Sequence, residues 1–84
     1  MGGKRDKAIE RLKKLPKDYT FSEARSLLRS LGYIEDDKGS TSGSRVCFHS
    51  EKGRINLHKP HPADIMKGYM VKQLKEFLEE KGDI

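Results

Sequence analysis

Arg45, His49, Arg54, Asn56, His58, Lys59 and His61 crowd a short central stretch of this 84-residue chain, which contains all three of its histidines. Guanidinium and ammonium groups hold phosphate oxygens, and an imidazole, titrating near about 6.5, can accept a proton from a hydroxyl close to neutral pH. That combination suffices to cleave RNA. The nucleophile is the substrate's own 2′-hydroxyl, so the protein need supply only a general base and cations at the scissile phosphate. The same residues on a wet surface would serve a second purpose equally well, binding RNA or an acidic partner without reacting.

Other chemistries fit the residues less well. Cys47, His49, His58 and His61 offer one thiol and three imidazoles, but C-x-H followed by H-x-x-H matches no common structural-zinc spacing, so no metal and no cofactor is expected. The run Gly39-Ser40-Thr41-Ser42-Gly43-Ser44-Arg45 lacks the glycine spacing and the Lys-Ser/Thr pair of a nucleotide-binding P-loop. Ser44, at the mouth of that loop, has no rigid elbow to make it a hydrolase nucleophile.

Two alternating segments must carry the basic residues. Residues 44–49, SRVCFH, and 54–59, RINLHK, read as strands joined by a hairpin turn at Ser50-Glu51-Lys52-Gly53. If His49 faces Arg54, then Phe48 meets Ile55 and Val46 meets Leu57 on the apolar side. The other side then carries Arg45 opposite His58, Cys47 opposite Asn56 and His49 opposite Arg54. A bulge at Gly53 could shift this pairing without changing the two faces.

Helical patterns flank the strands. Residues 4–15 place Ala8, Ile9, Leu12 and Leu15 on one stripe ended by Pro16, with Lys4, Arg5, Lys7, Arg11, Lys13 and Lys14 expected in solvent. Thr20 and Glu23 have capping-box spacing ahead of Phe21, Ala24, Leu27, Leu28 and Leu31, and Gly32 suits the end of that helix. Tyr33-Ile34 reads as a brief strand and residues 36–43 as a loop. After Pro60-His61-Pro62, residues 63–80 predict a helix through Ile65, Met66, Tyr69, Met70, Leu74, Phe77 and Leu78, closed by Gly82. The implied class is α+β, an antiparallel sheet with helices on one face and water on the other.

Composition sets the scale. The chain is 33% hydrophobic and 37% charged with a net charge of +5, and a chain this short buries only about 60% of the surface its unfolded form exposes, which favours a shallow site over a deep cleft. The positive excess lies in residues 1–17, while residues 43–72 form a second, weaker basic region; both suit an anionic polymer. No apolar run exceeds three residues, so neither a transmembrane helix nor a signal-peptide core is expected. A cytoplasmic, membrane-free location and a reducing compartment for the single Cys47 follow as expectations.

The order Gly32-Tyr33, loop, Gly43-Ser44-Arg45-Val46-Cys47-Phe48, turn, strand, Pro60-His61-Pro62 and Lys67-Gly68-Tyr69-Met70-Val71-Lys72-Gln73-Leu74 resembles the HicA toxins of bacterial toxin–antitoxin pairs over residues 21–82. Gly43, Ser44, Phe48, His61, Pro62, Lys67 and Gly68 match the family's motifs. The resemblance implies a fold like the double-stranded-RNA-binding domain, metal-independent cleavage of mRNA, and a HicB-type antitoxin that covers the active surface. It divides the chain into a basic helical extension, 1–20, and a HicA-like domain, 21–84.

One departure bears on mechanism. Arg45 stands where the family has its catalytic histidine, and arginine can clamp a phosphate but cannot accept a proton. His58, an insertion relative to the family pattern and the expected partner of Arg45, is the candidate replacement base. His49, Arg54, Asn56, Lys59, His61, Lys67 and Lys72 are the expected RNA contacts. The alternative is a module of the same fold that binds RNA or the antitoxin and no longer cuts.

Overall fold

The computed structural model describes residues 4–36, 45–60 and 63–84. Along the chain run α1 (Lys4–Lys13), α2 (Phe21–Ser30), β1 (Ile34–Asp36), β2 (Arg45–Ser50), β3 (Gly53–His58) and α3 (Gly68–Glu80). The three strands form one antiparallel sheet in the order β1-β2-β3. Its class is the α+β class expected from the sequence.

Strand alternation builds the core. Val46, Phe48, Ile55 and Leu57 are buried, and they join Phe21, Ala24, Leu27 and Leu28 of α2 with Met70, Val71, Leu74 and Leu78 of α3 in a single cluster. Leu12 of α1 is fully buried in the same cluster, and α1 packs on both α2 and α3. The helices therefore cover one face of the sheet.

The ends of α2 are closely specified. The Thr20 hydroxyl accepts from the Glu23 N–H, the Asp64 carbonyl accepts from Phe21 N–H, and Asp64 Oδ2 accepts from both the N–H and the hydroxyl of Ser22. All of the first three helical N–H groups are thus satisfied. The Glu23 carboxylate turns instead to Arg11 Nε at 2.9 Å. At the other end Gly32, at φ +96°, lets Tyr33 N–H reach the Leu28 carbonyl while its own N–H bonds to Arg29; Gly82, at φ +79°, closes α3 in the same way.

Several expectations are corrected. Helix α1 ends at Lys13, and Leu15 sits beyond it at φ +51° with 40% of its surface exposed, so it leaves the stripe that Ile9 and Leu12 continue to supply. Arg11 is not simply solvated; it bridges Asp18 and Glu23 and lies over the Tyr19 ring. Strand β1 begins at Ile34 rather than Tyr33 and extends through Asp36, because Tyr33 is occupied in the helix cap. The last helix starts at Gly68, not at 63. Met66 N–H donates to the Tyr19 carbonyl and Ile65 forms a bridge with Thr20, which draws this segment into extended pairing across the start of α2. The expected loop across 37–43 lies outside the described residues.

The C-terminus is latched to the hairpin. The Asp83 carboxylate accepts from the Tyr33 hydroxyl at 2.7 Å and from Lys52 Nζ, with its side chain only 3% exposed. Removing it leaves a buried phenol without its acceptor. We expect Asp83→Ala to lower the unfolding free energy by about 1–3 kcal/mol in urea titrations. Burial, reinforced by the hydrogen bond to Asp83, also pushes the Tyr33 phenol up to about 12. A phenol pKa raised on folding stabilises fully below the ordinary value of about 10, and the contribution is lost as pH climbs from there through the folded-state value. Stability should accordingly fall above about pH 10, and Tyr33→Phe should flatten that fall in urea midpoints measured against pH.

Candidate nucleic-acid interface

The uncovered face of the sheet follows from the register. Arg45 pairs with His58, Cys47 with Asn56 and His49 with Arg54, and the Ser50–Gly53 pair closes the hairpin with no bulge between. Residues directly opposite in an antiparallel pair project to the same side. Arg45, Arg54, Asn56 and His58 are exposed, and Cys47 and His49 are half-buried. The polar strip expected from alternation is therefore present on the face that the helices leave open.

Strand β1 adds to that face two residues that the sequence pattern did not place there. Ile34 pairs with His49 and Asp36 with Cys47, so the three rows across the sheet read Ile34-His49-Arg54, Asp36-Cys47-Asn56 and, at the far end, Arg45-His58. Glu35, between them, turns to the covered face and pairs with Arg25 of α2 at 3.1 Å. Ile34 is 61% exposed, an apolar neighbour at the hairpin end of the strip.

The strip divides into two ends. His49 lies four positions along β2 from Arg45, about 13 Å at the rise of a strand, so His49 and Arg54 stand too far from the Arg45–His58 row to share one reacting atom with it. At the His58 end the chain leaves β3 and forms a groove of about 280 Å³ with the start of α3. His58, Lys59 and Lys67 line it together with Ile65, Met66, Tyr69 and Met70. Lys72, one turn beyond Tyr69 on α3, is exposed but does not line the groove. His61 lies outside the described residues.

Cations and an imidazole thus converge around the end of β3. Nothing among the described residues groups three His, Cys, Asp or Glu side chains as a metal site would, and none of the described helices is long and apolar enough to cross a membrane. What the arrangement can do is bind an extended anion along the sheet and place an imidazole beside a guanidinium at one end of it.

Around the groove, sequence periodicity misassigned Ile65 and Tyr69. The helical spacing of Ile65, Met66, Tyr69 and Met70 suggests one apolar stripe, yet only Met66 and Met70 are buried, while Ile65 is 48% and Tyr69 63% exposed. The phase of α3 explains this: its buried positions are Met70, Val71, Leu74 and Leu78, and the residues three and four after Tyr69 are Lys72 and Gln73. Those polar neighbours were the available signal.

The Arg45–His58 pairing has a direct test. In a Cys47→Ser background, Arg45→Cys combined with His58→Cys should lose both free thiols on mild oxidation, since opposed antiparallel residues lie about 4.5–5.5 Å apart at Cα, within disulfide reach. A register slipped by one residue would leave both thiols titratable.

Comparison with known proteins adds one match. The family model described as the HicA toxin of bacterial toxin-antitoxin matches residues 21–80. No curated protein and no solved structure matches the chain significantly.

Proposed function

Since the chain belongs to the family of HicA toxins of bacterial toxin–antitoxin systems, we propose that it is an mRNA endonuclease whose reacting centre is the Arg45–His58 row at the end of its open sheet. The observation that carries this reading is the direct cross-strand pairing of those two exposed residues. Arg45 alone cannot replace a histidine as base. Its partner across the hairpin can.

In this mechanism the RNA backbone lies along the strip. His58 takes the proton from a 2′-hydroxyl, the 2′-oxygen bonds to phosphorus, and the bond from phosphorus to the 5′-oxygen breaks. Water protonates the departing oxygen, leaving a 2′,3′-cyclic phosphate and a 5′-hydroxyl. The Arg45 guanidinium stabilises the charge that builds on the phosphoryl oxygens. No step draws on a metal ion. His49, Arg54 and Asn56 hold the neighbouring backbone, with Lys59, His61, Lys67 and Lys72 extending the footprint, and RNA affinity should fall steeply with salt because most contacts are to phosphate.

A HicB-type antitoxin fits the same surface. The chain supplies Arg45, Arg54 and Lys59 where such a partner would cover the site, so the covering surface should be acidic. Its binding and that of RNA should exclude each other.

The discriminating experiment is cleavage of an end-labelled mRNA by the purified protein in EDTA. The expected result is cutting by the wild type with cyclic-phosphate ends, slowed at least about 100-fold by His58→Ala and by a similar factor in Arg45→Ala. Salt-sensitive RNA binding without any cutting would instead make the chain a binding module of the same fold, and cutting that persists in His58→Ala would remove the proposed base.

A further inference from the structure

Six aromatic side chains occur in the chain, and five of them are engaged. Phe21 packs on Phe48, Tyr33 on Phe77, and the Arg11 guanidinium lies over Tyr19. Tyr69 is the exception: among the described residues it has neither a ring partner nor a cation over it, and it is 63% exposed. It stands where the basic strip ends, lining the groove that His58, Lys59 and Lys67 also line.

The composition of that groove limits what it can hold. Met66 and Met70, 3% and 4% exposed, supply apolar surface, Tyr69 supplies a ring, and Lys59 and Lys67 supply positive charge. A free phosphate would use the cations and leave the ring and the methionines bare. An apolar segment would use the ring and desolvate the cations without compensation. A nucleotide answers both requirements, because it carries a flat π-face and an anion on one framework.

We propose that this groove is a nucleobase subsite: the base of a nucleotide next to the cleaved linkage stacks on Tyr69, while its phosphate meets Lys59 and Lys67. The proposal rests on the ribonuclease reading above and adds to it the element that the strands lack. No Phe, Tyr or Trp lies on the open face of β2 or β3, so backbone contacts alone would let RNA slide. A stacked base at one end gives the strand a fixed register relative to His58. Stacking is tolerant of base identity, so the subsite positions RNA more than it reads it. Tyr69 is thus a binding residue whose loss weakens RNA capture, and Lys67, two positions before it, brings a cation to the same groove.

The test uses 2′-O-methyl oligonucleotides, which bind but cannot be cut because the nucleophile is blocked, each bearing 2-aminopurine at one position. Wild type, Tyr69→Phe and Tyr69→Ala are titrated at low salt, with circular dichroism of each variant. The expected result is quenching of 2-aminopurine at one position by the wild type and by Tyr69→Phe with affinities within about twofold, and about tenfold weaker binding without quenching for Tyr69→Ala. Affinity and quenching unchanged in Tyr69→Ala overturn the subsite, and if the wild type still cuts unmodified mRNA the ribonuclease reading stands without it. The subsite is likewise overturned if Tyr69→Ala weakens only the capture of an antitoxin, which would make the patch a protein-docking surface. A wild type that neither binds nor cuts RNA overturns both.

Discussion

Val46 and Phe48 on β2 meet Leu57 and Ile55 on β3, and that one pairing decides both what the molecule buries and what it offers to solvent. Because side chains alternate along a strand, committing these four to the helices commits Arg45, Cys47, His49, Arg54, Asn56 and His58 to the opposite side. A slip of one residue would invert both sets together, exposing the apolar residues and burying charge. The core and the candidate site are therefore two consequences of one register, and selection on either would hold the other in place.

The rest of the fold protects that register from its ends. Asp83 joins the cap of α3 to Lys52 in the hairpin turn and to Tyr33 at the entrance to β1, so three distant segments share one nearly buried carboxylate. Asp64 acts similarly elsewhere, where its backbone and side chain complete the first turn of α2 and tie it to the segment ahead of α3. A thin core with little apolar surface relies on such polar ties more than a large domain would.

Those ties also mark the boundary of what could be read in the sequence. The strand faces, the Arg45–His58 partnership and the Thr20 half of the α2 capping box are local patterns of period two or fixed spacing, and each is present as expected. The segment 63–67 is different: Ile65 and Met66 imitate a helical stripe, but backbone pairing with Tyr19 and Thr20, more than forty positions earlier, holds them extended. No local periodicity encodes that contact. The Arg11 bridge to Glu23 and the escape of Leu15 from its stripe have the same origin, since both depend on where α1 meets α2. Half of the candidate site was consequently legible, the strip on the strands, and the groove was not.

The proposed function places RNA on the open face of the sheet with its reacting linkage at the Arg45–His58 row. Amide NMR spectra of the uniformly ¹⁵N-labelled protein, titrated at low salt with an uncleavable 2′-O-methyl RNA, would locate that contact residue by residue. Shifts should concentrate on β2 and β3 between residues 45 and 58 and continue into the start of α3 at 67–69, with α1 unaffected. Shifts confined to the basic surface of α1, or none on the sheet at saturating RNA, would contradict it.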